Sequence, residues 1–335
     1  MKTLVTGATG FLGSHIAERL LRRGASVRAL VRPTSDTSFL ESLGVELVRG
    51  DVTDAPSLLP ALAGVDVVFH AAALVSDWGP WEGFRTVTIN GTRNMLKAAA
   101  AAGTPRFLYV STDGVYRYQD LRKGVTEESP LEAHFGPLDY YRRSKTAAEK
   151  IARRFQRDGS ISLSIVRPAL ILGERDAAML PGVVAFLKGP LSVYLGNGRN
   201  PLPYVYAGDV ADLCIRAATA DPAKGQIYNA VSDEPVTQRS LFQTAAEIVN
   251  IREPQRHIPF RLIYAITAAM EVKSRLSGWG SRPDLTRFSA NLLGVEFRED
   301  ASKATRELGW KPEVSLRDAV TRSVEWHRFP HRSCR

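Results

Sequence analysis

Apolar residues in the first half of the chain fall into two alternating rhythms. KTLVT (residues 2–6), SVRALV (26–31), VELVRG (45–50), VDVVFHAAA (65–73), RFLYVST (106–112) and SLSIVRPALILG (162–173) are short, mostly apolar runs, and each reads as a strand. Between them, apolar positions recur three or four residues apart. Such spacing predicts a helix from about Ser14 to Arg23 that Gly24 caps, another in TRNMLKAAAAAG (92–103), and a long one from Tyr141 onward. Strand and helix alternating in this way predict a parallel sheet with helices on both faces.

Beyond Gly173 the rhythm loosens. Residues 174–203 are rich in Gly and Pro, residues 204–231 read as strand, helix, strand, and about 236–330 is more helical. The pattern predicts an α/β chain: a doubly wound parallel sheet of Rossmann type with a smaller, mostly helical C-terminal cap. The dinucleotide-binding domain takes residues 1–173 and is completed by about 204–231. The substrate-binding cap takes 174–203 and 232–335.

Composition narrows the classes. The 335 residues are 44% hydrophobic and 24% charged, as in an ordinary soluble globular protein. Lys and Arg exceed Asp and Glu by 44 to 35, but no run of five basic residues and no nucleic-acid motif accompanies the excess. Cys214 and Cys334 are far apart and form no metal spacing, which points to a reducing, cytoplasmic setting and away from a disulfide framework or a structural metal. No signal peptide is expected ahead of MKTLVTGATGFLG, and LIYAITAAM (262–270) is too short to span a bilayer. That apolar stripe reads first as cap core, with a lid over a lipophilic site or peripheral membrane contact near Lys273 and Arg275 as alternatives. A homodimer stays open.

Candidate chemistry begins at Gly7-Ala8-Thr9-Gly10-Phe11-Leu12-Gly13, between the first strand and the first helix. Glycines there let backbone approach a pyrophosphate, and the helix N-terminus offers N–H donors. The spacing is GxxGxxG rather than GxGxxG. The second strand ends at Arg32 without the carboxylate that would accept from the ribose 2′-OH of NAD. Arg32 is placed to clamp a 2′-phosphate, so NADP is expected ahead of NAD. Asp51 reads either as an acceptor for the adenine amino group or as a turn-forming residue.

In Tyr140-Tyr141-Arg142-Arg143-Ser144-Lys145, Tyr141 stands one helical turn before Lys145. A phenol of ordinary pKa about 10 is a poor base at neutral pH, and a neighbouring ammonium and a cationic nicotinamide would stabilise the phenolate. Tyr140 competes for the role, but its partner four residues on is Ser144, which cannot tune a phenol electrostatically.

Together these motifs resemble an extended short-chain dehydrogenase/reductase of the NAD-dependent epimerase/dehydratase superfamily, over almost the whole chain. TGATGFLG is similar to that family's glycine motif, YRRSK to its YxxxK, and LYVSTDGVY to the strand presenting a third catalytic hydroxyl, here Thr112. The resemblance implies a Thr112–Tyr141–Lys145 mechanism, with Asn90 of TINGTRN positioning the lysine through water. It also implies a cofactor site that takes in Gly7, Thr9, Gly10, Phe11, Leu12, Gly13, Arg32, Asp51, Val52, Ala71, Ala72, Tyr141, Lys145 and Pro168.

SDWGPW (76–81) and RPDLTR (282–287) resemble the 3β-hydroxysteroid dehydrogenase-like branch, whereas ATRELGW (304–310) discriminates little. The stretch Arg167–Gly173 (RPALILG) lacks the Asn with which sugar-nucleotide enzymes grip a diphosphate. The expectation is therefore an oxidoreductase interconverting a secondary alcohol and a ketone on a lipophilic small molecule, with Trp78 and Trp81 either walling the pocket or packed as core. A nucleotide-sugar epimerase or dehydratase on tightly bound NAD is the alternative.

Overall fold

The computed structural model describes residues 1–159, 161–190, 192–279 and 282–328; Cys334 lies outside them. Its strands are β1 (Lys2–Thr6), β2 (Ser26–Val31), β3 (Glu46–Arg49), β4 (Val67–His70), β5 (Arg106–Val110), β6 (Ser162–Pro168), β7 (Leu170–Leu172), β8 (Tyr194–Leu195), β9 (Tyr204–Tyr206), β10 (Ile227–Ala230) and β11 (His257–Ile258). Seven of them form one sheet in the order β10-β6-β5-β4-β1-β2-β3, with every pairing parallel. The winding reverses between β1 and β4, so a crevice opens at their carboxyl ends, where doubly wound sheets bind ligands.

Alternation along the strands feeds a core on each face. Val5, Phe69 and Leu108 join Ile16 and Leu213 of the helices Phe11–Arg22 and Ala207–Thr219. Their neighbours Leu4, Val68 and Phe107 turn the other way, toward Met95 and Ala148 of the helices Gly91–Ala101 and Tyr140–Arg157. A further core, with Tyr194, Phe242, Leu293 and Val320, holds the helical C-terminal region.

The stretch SLSIVRPALILG divides. Pro168, with no N–H to donate, ends β6, and the chain resumes as β7 to pair with β9 outside the main sheet. The Leu262–Met270 run forms part of the helix Phe260–Leu276, and it is core on one side only. Ile263 and Thr267 are buried, whereas Leu262, Ala265, Ile266 and Ala269 face outward. Among the described residues, no helix is long and apolar enough to cross a membrane.

Candidate active site

The glycine loop leaves β1 at Gly7, whose φ of +71° suits a residue without a side chain. A Cβ at Gly7 would stand 2.8 Å from the Ala72 nitrogen and 2.9 Å from the Ala71 carbonyl carbon. One at Gly13 would collide with the Gly7 carbonyl oxygen, so the first turn of the helix Phe11–Arg22 lies directly on the loop. Thr9 and Gly10 stay exposed at the rim, Phe11 is half-buried, and Leu12 is anchored in the core. The result is a backbone cradle open to solvent at a helix N-terminus, and it fits a dinucleotide pyrophosphate.

Around the cradle, Val52 packs against Gly91 so tightly that a Cβ there would come within 2.7 Å of it, and the Val52 carbonyl accepts from Asn94 at 3.0 Å. Asp51 does turn-forming work: its Oδ1 accepts from the Thr53 N–H and hydroxyl, both at 2.8 Å. Arg32 is exposed at the end of β2, and its carbonyl accepts from Arg49 at 3.1 Å. A second guanidinium thus borders Arg32, one that strand-end reasoning on β2 alone had missed.

On the helix Tyr140–Arg157, Tyr141, Lys145 and Glu149 follow one another at four-residue intervals down one face. Lys145 Nζ donates to the Val110 carbonyl at 2.6 Å and sits 4.7 Å from the Tyr109 ring centroid. Burial pulls the Lys145 ammonium down to about 7, against the opposing pull of Glu149. Burial pushes the Tyr141 phenol up to about 12, with a hydrogen bond to Thr112 working the other way and the nearby Asp113 charge adding to the rise. Without a bound cation the protein therefore keeps Tyr141 protonated; the expected lowering draws on a cationic nicotinamide as well as the Lys145 ammonium. Asn90 closes a π turn, Arg85–Asn90, that packs on this helix, and its Oδ1 accepts from Arg93 at 2.7 Å.

Thr112 stands two residues beyond the end of β5. Its hydroxyl accepts from the Gly114 N–H at 3.2 Å and donates to Asp113 at 3.1 Å. The loop carrying it is held from behind. Ser111 donates to Glu149 at 2.6 Å, and Arg167 reaches the same carboxylate at 2.7 Å and 3.2 Å, both side chains being fully buried. Arg142, also buried, donates to the Gly114 and Tyr116 carbonyls at 2.6 Å and 2.7 Å and to Asp139 at 2.9 Å. Pro168 lies at the end of β6, one residue beyond Arg167.

Tyr140 is accounted for separately. Its ring packs on Trp81 and Phe84, with centroids 5.5 Å and 6.0 Å apart, while Tyr141 meets Phe288 edge-on at 5.7 Å. Thr112 and Tyr141 line a cavity of about 60 Å³ whose wall also takes in Tyr118, Phe288, Leu292 and Phe297 and the polar Asp113, Arg142 and Asn291. Neither Trp78 nor Trp81 is among the cavity's wall residues. Trp78 packs on Trp279 with centroids 4.9 Å apart, and Trp81 carries the Arg143 guanidinium over its ring at 4.5 Å. The two telling motifs nonetheless meet in space: Arg282 forks onto Asp77 at 2.7 Å and 2.8 Å, and Thr286 donates to the same carboxylate at 2.7 Å.

Sequence reasoning missed two carboxyls here: Asp113, in the cavity wall, and Glu299, close enough to feel its charge. Asp113 is pushed up to about 6 by burial, against the Thr112 hydroxyl, the Gly114 N–H and the Arg142 charge. Both oxygens of Glu299 are buried without a hydrogen-bond partner, and burial, with the charges of Asp113 and Glu127, raises it well above the usual carboxylate range. Asp113 adjoins a candidate hydroxyl and was legible as such. Glu299 carries no local signal.

Residues 3–230 match the model of the NAD dependent epimerase/dehydratase family. A 2-alkyl-3-oxoalkanoate reductase of Shewanella oneidensis is 30% identical over 95% of this chain and 84% of its own. The sterol demethylase protein B of Methylococcus capsulatus is 32% identical over 98% of each. The crystal structure of gox2253 superposes with a TM-score of 0.80 at 32% identity, again covering 98% of both chains. A glycine cradle at the switch point, a tyrosine–lysine helix beside it and a match across two thirds of the sequence have one reading: the chain belongs to the NAD dependent epimerase/dehydratase family.

Proposed function

We propose that this enzyme is an NAD(P)-dependent oxidoreductase interconverting a secondary alcohol and a ketone on a lipophilic substrate, with NADP preferred. One observation carries the reading: Thr112 and Tyr141 line a cavity of about 60 Å³ whose other wall residues are mostly aromatic and aliphatic, with Asp113, Arg142 and Asn291 the polar exceptions. Alkyl or ring surface buried there gains about 25 cal/mol per Å², whereas a diphosphate without partners would be costly. Arg142, the guanidinium at the cavity wall, is already committed to two carbonyls and Asp139. Relatives named as an oxoalkanoate reductase and a sterol demethylase protein support the same substrate class.

The residues divide the work. The Gly7–Gly13 cradle would hold the pyrophosphate, with Asp51, Val52, Ala71 and Ala72 along the crevice, Pro168 at its far side, and Arg32 with Arg49 bordering a 2′-phosphate. When bound, the cofactor supplies or accepts the hydride and, oxidised, adds a positive charge. Thr112 orients the substrate oxygen. Tyr141, protonated at neutral pH, gives its proton to that oxygen as negative charge builds there, and in the reverse direction takes it back. Lys145, fixed by the Val110 carbonyl, lies one turn below the phenol, where it would face the nicotinamide ribose.

The test is to follow NADPH oxidation with long-chain 3-keto compounds and ketosteroids, in parallel with UDP-sugar titration. Turnover of a lipophilic ketone is expected. Saturable sugar-nucleotide binding with epimer formation, and no NADPH oxidation by any lipophilic ketone, would overturn the reading.

A further inference from the structure

The helix Phe260–Leu276 presents a solvent-facing apolar stripe that the catalytic reading leaves unused. Leu262 is 53% exposed, Ile266 38%, Val272 55% and Leu276 83%, and Ala265 and Ala269 fill the positions between. At 100° per residue these six side chains fall within one broad face of the helix. The opposite face, with Ile263, Thr267 and Glu271, is buried.

Charge on the helix is one-sided. Arg261 and Arg275 are exposed along one edge of the stripe, Lys273 is exposed within it, between Leu262 and Ile266 in projection, and the helix's single acidic residue, Glu271, is turned inward. There it accepts from the Arg287 N–H at 2.7 Å and from the Arg287 guanidinium at 2.6 Å. A stripe of leucine, isoleucine and valine with cations along one edge and a lysine whose stem can snorkel out from its middle matches the chemistry of an anionic lipid surface: acyl chains for the apolar face, headgroup phosphates for the cations. A water-facing helix gains nothing from this arrangement.

We infer that the helix Phe260–Leu276 lies in the interfacial plane of an anionic membrane, Leu262, Ile266, Val272 and Leu276 inserted and Arg261, Lys273 and Arg275 at the headgroups. The helix packs against Arg287–Gly294, which supplies Phe288 and Leu292 to the cavity wall, so a docked membrane would stand beside the cavity. The inference stands on the exposed face and does not depend on the proposed substrate.

Co-sedimentation with vesicles tests it, using phosphatidylcholine alone and phosphatidylcholine mixed with phosphatidylglycerol. The unaltered protein should partition onto the mixed vesicles and far less onto the neutral ones, and high salt should weaken the binding. Leu262→Glu with Leu276→Glu should abolish partitioning, and Arg261→Ser with Lys273→Ser should weaken it on the order of tenfold. All these side chains stand in solvent, so thermal melting should be unchanged. Failure of the unaltered protein to bind mixed vesicles, or equal binding by the glutamate variant, would overturn the inference. So would a stable dimer in sedimentation velocity that the same glutamates dissociate, because the stripe would then be covered by a second copy.

Discussion

The glycine loop and the apolar cavity are built from different materials. At the loop, backbone does the binding: Gly7 and Gly13 matter for the side chains they lack, and every part lies within seven consecutive residues. At the cavity, side chains do it, and they converge from segments around residues 112–121, 141, 202 and 288–297. The first kind of site is specified by spacing along the chain. The second is specified only by the way the whole chain returns on itself.

Substitutions can break or sharpen that contrast. The largest effect is expected at the cavity mouth, where Tyr141→Phe should cut turnover roughly 10²- to 10⁴-fold while NADPH affinity, read by fluorescence titration, stays close to unaltered. Substantial remaining activity would move the proton transfer to another group. Next comes the loop. Gly13→Ala forces a methyl against the Gly7 carbonyl, and an overpacking cost of about 1–3 kcal/mol predicts roughly 10- to 100-fold weaker cofactor binding. An unchanged dissociation constant would show that the loop can relax and does not depend on backbone approach.

Arg32→Ala is expected to weaken NADP about tenfold and leave NAD almost untouched. Equal losses for both would assign Arg32 to structure, and a tighter complex of the unaltered protein with NAD would refute the NADP preference. The smallest effect concerns Asp113. Its carboxyl is raised to about 6 in the folded chain, so it supports the fold below its unfolded value of about 4 and loses that support as pH rises through 6. Asp113→Asn should therefore raise the melting temperature at pH 8 by a few degrees and change little at pH 4. A lower melting temperature at pH 8 would mean that the ionised carboxylate is a structural partner.

The same contrast explains how much was legible in the sequence. The sheet, its winding, the GxxGxxG turn and the Tyr141–Lys145 pair rest on periodicity and short spacing, and those survive in one dimension. The Glu149–Arg167 pair behind Thr112 was half visible, since Glu149 extends the four-residue series from Tyr141, but its partner lies on a strand eighteen residues away. The cavity wall was not visible. Trp78 and Trp81 were conspicuous candidates for it, yet each is engaged by another aromatic ring, while Leu202 and Phe297 line the cavity with nothing local to mark them. Glu299 is illegible for a related reason: its burial is set by what folds over it.

β10 has a consequence for the order in which the molecule can be made. It is the outermost strand of the sheet and covers β6, yet β6 ends at Pro168 and β10 starts at Ile227. At a synthesis rate of about 5–20 residues per second, the nascent chain carries β6 with an unpaired row of N–H and C=O groups for roughly 3–12 seconds. That interval is when the edge can recruit a strand from another chain, and Pro168 shortens the available row by one donor. A ribosome stalled between these two strands would release a sheet with an adhesive edge.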